Sequence, residues 1–86
     1  MEKMTLYAYI QKRINGPRRD SIMQDLIDDM ANDEELKGKT AQEIVNHIRC
    51  KACFEAWFAT TQFVQQYKKY CKKNGLEAET VNCHLN

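Results

Sequence analysis

At 86 residues, with 43% hydrophobic and 29% charged residues, the chain is sized for one soluble globular domain, not a disordered or fibrous protein. No window approaches the roughly 18 apolar residues of a membrane span, and Met1-Glu2-Lys3-Met4 leads into a mixed segment, so a cytoplasmic protein with no membrane partner is expected. The net charge of +1 conceals a polarised surface: residues 20–35 carry seven acids and no base, whereas Lys68, Lys69, Lys72 and Lys73 place four bases in six residues.

No segment alternates β-branched or aromatic residues with polar ones over a useful length, so helices are expected throughout. Leu6, Ile10 and Ile14 recur at i, i+4 and i+8, which predicts a first helix over residues 5–14. Asn15-Gly16-Pro17 should end it, with Gly16 taking the left-handed cap and Pro17 unable to continue the ladder. Asp20-Ser21 then starts a second helix, Ser21-x-x-Gln24 reading as a capping box. Ile22, Met23, Leu26, Ile27 and Met30 would face inward, and Asp25, Asp28 and Asp29 outward.

Asn32 or Asp33 should cap a short turn through Leu36, and Lys37-Gly38-Lys39 breaks the chain again. Thr40-x-x-Glu43 is the cleaner capping box and opens a helix with Ile44, Val45 and Ile48 inward. After a bend at residues 49–53, one long helix is predicted over residues 52–74, closed by Gly75. The division expected is a helical domain over residues 1–75 and a tail over residues 76–86, docked through Val81 or Leu85. The fold class is all-α, a compact bundle of four to five helices. Cys50, Cys53, Cys71 and Cys83 are expected as reduced thiols, because scaffolds built on disulfides carry more Gly and Pro than the three Gly and one Pro found here.

Leu6-Tyr7-Ala8-Tyr9-Ile10, then Arg13, then Asp20-Ser21-Ile22, resembles the opening of the YozE-type sterile-alpha-motif-like (SAM-like) family. Asp33, Glu43-Ile44, His47-Ile48 and Gln66-Tyr67 extend the resemblance, which spans about residues 4–70. Leu36-Lys37 stands where the family carries Phe-Pro, and Val64 stands where it carries Trp. The resemblance implies a four-helix fold, a phage or mobile-element origin, and binding of protein or nucleic acid; it brings no catalytic residues.

Two charged faces are the candidate sites. Asp25, Asp28, Asp29, Glu34 and Glu35 lack the interleaved bases of a self-neutralised helix face, so they suit a basic protein partner. Lys68, Lys69, Lys72 and Lys73 span about 140° of one helix, with Arg18 and Arg19 as further candidates for phosphate contact. Lysines position a nucleic acid without reading its sequence.

The remaining constellations are weaker. His47, Cys50 and Cys53 step by three like zinc ligands, but Cys83-His84 is a poor second pair for a tetrahedral ion. Glu43, His47 and Cys50 share a helix face in the manner of an acid, base and nucleophile, with no oxyanion donor or cleft signalled nearby. The aromatics sit at helical spacing beside aliphatics, as a core does, with Trp57 or Phe58 as the candidate left exposed to anchor a partner. The expectation is a non-enzymatic interaction module without cofactor or metal. It would dock through its acidic face on a macromolecule, protein favoured over nucleic acid. The alternative is a nucleic-acid-binding protein that uses the lysine stripe. Contact between the two faces of separate copies would give self-association.

Overall fold

The computed structural model describes residues 2–16 and 22–83. In chain order the elements are β1 (Lys3–Met4), α1 (Leu6–Ile14), α2 (Ile22–Ala31), a 3-10 turn (Glu34–Leu36), α3 (Ala41–Arg49), α4 (Phe54–Lys73) and β2 (Glu77–Ala78). The chain is an all-α bundle with one small two-stranded addition. No helix among the described residues is long and apolar enough to cross a membrane. The expected Ser21 cap, together with Arg18, Arg19, His84 and Leu85, lies outside the described residues.

Local chemistry sets the helix ends. The Thr5 hydroxyl accepts from the Ala8 amide and opens α1. The Thr40 hydroxyl accepts from the Glu43 amide while the Glu43 carboxylate accepts from the Thr40 amide, a complete capping box for α3. Those bonds hold the Glu43 carboxyl below its usual pKa. At the far end of α4, Gly75 turns left-handed at φ +68, the Leu76 amide donates to Cys71 O at 2.8 Å and the Gly75 amide to Lys72 O. That is a Schellman closure. Gly38 adopts φ +82 in the break after the 3-10 turn, but Gly16 does not become left-handed. Asn15 ends α1 in a right-handed conformation instead, with its side-chain amide donating to Gln11 O.

α4 is the spine, about 30 Å long, against which α1, α2 and α3 pack. Its inward face gives Phe63, Val64, Tyr67 and Cys71; the other helices answer with Leu6, Ile10, Ile27, Leu36, Ile44 and Val45. Arg13 binds α1 to α4: its Nη1 donates to Tyr9 Oη at 2.9 Å and to Gln66 Oε1 at 2.6 Å, and its guanidinium lies over the Tyr9 and Phe63 rings.

The segment after Gly75 packs on the helices and forms a strand, which departs from the expectation of helices alone. β2 lies parallel to β1, with Lys3 opposite Glu77 and Met4 opposite Ala78. Tyr67 Oη donates to Met4 O at 2.6 Å and accepts from the Glu79 amide at 2.7 Å. One oxygen of Glu79 accepts from both the Leu6 and Ala41 amides, at 3.0 and 3.1 Å. A single carboxylate therefore satisfies one open amide at the N-terminus of each of α1 and α3. Val81, only 2% exposed, completes the packing. Two residues of strand carry no alternation to read, so neither strand is legible from periodicity.

Candidate functional site

Between α2, the 3-10 turn, the end of α3 and the start of α4 lies a groove of about 390 Å³. Leu26, Met30, Leu36, Ile48, Ala52 and Ala56 make its apolar floor, and Asp29, Asp33, His47, Lys51 and Cys53 its polar rim. The groove opens where α3 stops at Arg49 and α4 starts at Phe54, with Lys51, Ala52 and Cys53 of the connection on its lining.

Asp29 and Asp33 line the groove, and the acids of α2 and the 3-10 turn occur in four different states. Asp25 and Asp29, one turn apart on α2, are exposed, as is Glu34. Asp28 is half-buried and accepts from Gln24 Nε2 at 3.3 Å. Asp33 caps the 3-10 turn, accepting from the Glu35 amide at 3.0 Å. Glu35 reaches across to α3.

At that crossing His47 Nε2 lies 3.3 Å from Asp33 Oδ2, 3.2 Å from Glu35 Oε2 and 3.0 Å from Lys51 Nζ. One ring nitrogen either donates to a carboxylate or accepts from the ammonium, so these contacts are mutually exclusive. The ligand atoms of Asp33, Glu35 and His47 fall within 4.8 Å of one another, the nitrogen and oxygen types that divalent ions take. Lys51, 3.7 Å from Glu35 Oε2, already supplies positive charge there. His47 thus turns toward carboxylates, while Cys50 and Cys53 stand exposed. The acid–base–nucleophile alignment does not assemble either, because Glu43 is spent on the α3 cap.

The basic stripe divides. Lys68 Nζ donates to Val81 O at 2.9 Å and helps hold the C-terminal segment. Lys69, Lys72 and Lys73 remain exposed and make no such bond. The aromatic assignments also shift. Trp57 is 9% exposed with the Arg49 guanidinium over its ring, so it belongs to the packed interior. Phe54, at 70%, and Phe58, at 44%, are the exposed pair. Phe58 matches the sequence expectation; Phe54 was missed, although its i, i+4 relation to Phe58 already put both on one face.

Burial raises the pKa of the Cys71 thiol. It does the same to Cys83, where Lys68 and Arg49 oppose the effect. All four cysteines are free. No family model, curated protein or solved structure matches the chain.

Proposed function

We propose that this protein is a small, non-enzymatic docking module of the cytoplasm, and that its acidic face with the adjoining groove binds a basic protein surface. The observation that carries this reading is the coincidence of two features. An apolar floor able to take an anchoring side chain has Asp29 and Asp33 on its rim, with exposed Asp25 one turn from Asp29 and exposed Glu34 next to Asp33, acids that would steer and orient a basic partner. Charge alone would be a solvated helix face; charge beside an open apolar groove fits the usual anatomy of an interface.

The partner would press an aliphatic or aromatic side chain between α2 and α4, with Lys or Arg residues along Asp25, Asp29 and Glu34. The basic groove of a nucleic-acid enzyme has this chemistry, and occupying it would inhibit that enzyme. Affinity capture on immobilised protein tests the reading. Asp25→Asn/Asp29→Asn/Glu34→Gln/Glu35→Gln should lose the captured partner and its salt sensitivity, and Ala56→Trp, which fills the groove, should lose it without altering the charge. Asp28 is left intact because of its part in α2. Equal capture by both variants would reject the reading.

A further inference from the structure

The long helix carries a second face that the docking reading does not use. At about 100° per residue, Phe54, Phe58, Gln62, Gln65, Lys69 and Lys72 fall within roughly 80° of arc on α4, and all six are exposed. Cys53 and Ala56, which line the groove, lie on the other side of the helix. The order along this face is graded: two aromatics, then two amides, then two ammonium groups. It spans about 27 Å from Phe54 to Lys72. Glu55, the one acid in α4, sits at its edge.

We propose that this face binds single-stranded nucleic acid. Two exposed Phe rings one turn apart, separated by about 6 Å along the axis, offer separate stacking platforms to two unpaired bases. Gln62 and Gln65 present donors and acceptors to base edges, and Lys69 and Lys72 meet the phosphates that follow. A docking helix for a protein partner would continue its apolar stripe at i, i+3 and i+7. Here apolarity ends at Phe58, and no Leu, Ile, Val or Met occupies the arc. Duplex DNA fits less well, because bases already stacked and paired leave the rings no partner. Lys68 drops out of the surface expected from sequence, since it holds Val81 O. This inference is independent of docking at the acidic groove and stands or falls separately.

The test is fluorescence anisotropy of the full chain with a labelled oligothymidylate 12-mer and with a 12-bp duplex, across a salt series. The single strand should bind at low salt, and more tightly than the duplex. Phe54→Ala/Phe58→Ala should weaken binding to it by at least about tenfold with an unchanged salt slope. Lys69→Ala/Lys72→Ala should flatten the slope of log K against log salt by about 1.4. These side chains are exposed, so thermal melting followed by circular dichroism should match wild type. Absence of single-strand binding at low salt would overturn the proposal. So would equal duplex binding that ignores the Phe substitutions, which would reduce the face to lysines contacting phosphate.

Discussion

Tyr67 shows how one residue links both ends of the chain to the core. Its ring is fully buried, and its hydroxyl bridges Met4 O and the Glu79 amide, so Tyr67→Phe strands both groups at once. The expected loss is about 2 kcal/mol by urea denaturation. Burial, partly offset by the Glu79 hydrogen bond, pushes the Tyr67 pKa up to about 12 from an ordinary value near 10. The folded state therefore favours the protonated phenol. That contribution is complete below pH 10 and drains away as pH rises toward 12, at a cost on the order of 2 kcal/mol. Tyr67→Phe should abolish this alkaline slope; a slope that persists would assign it to other groups. The thiols offer a second check at this scale. In native protein Cys50 and Cys53 should react quickly with a disulfide reagent, whereas Cys71, buried and with its pKa raised, should wait for unfolding. Fast modification of all four would contradict the packing around Cys71.

The elements were legible in the sequence wherever a local rule determines them. Thr40-x-x-Glu43 forms its capping box, Asp33 caps the 3-10 turn, and Gly75 closes the long helix. Thr40→Ala should cost about 1 kcal/mol, read as a lower midpoint in thermal or urea unfolding. Gly75→Ala should cost a similar amount by forcing a Cβ into the left-handed region. What local rules could not give were contacts across the chain. Glu79 lies 73 residues from Leu6 and 38 from Ala41 in sequence, and nothing at its position signals that it bridges two helix N-termini. Gly16 also defied a local rule, since Asn15 supplied a right-handed end that left no need for a left-handed cap. Removing residues 76–86 should therefore lower the melting temperature clearly, by loss of the Glu79 bonds, Val81 burial and the β1–β2 pair. An unchanged melting temperature would show that the segment is a passenger.

At the scale of the molecule, charge and apolarity are distributed to two sides of α4. The acidic wall was legible as a run of acids, and the groove beside it was not, because its floor comes from Leu26, Leu36, Ile48 and Ala56 on separate elements. The exposed Phe54 and Phe58 could have been read from the helical wheel, but aromatics beside aliphatics are ordinarily core. In the docking proposal a partner seats in the groove under guidance from the acids. Cys53 on the rim makes that claim directly measurable. With Cys50→Ser removing the other exposed thiol, a photo-cross-linker attached at Cys53 should join a basic protein at low salt. The yield should collapse when Asp25, Asp29, Glu34 and Glu35 are neutralised together. Cross-linking that is equal with and without those acids, and indifferent to salt, would rule out acid-guided docking in the groove.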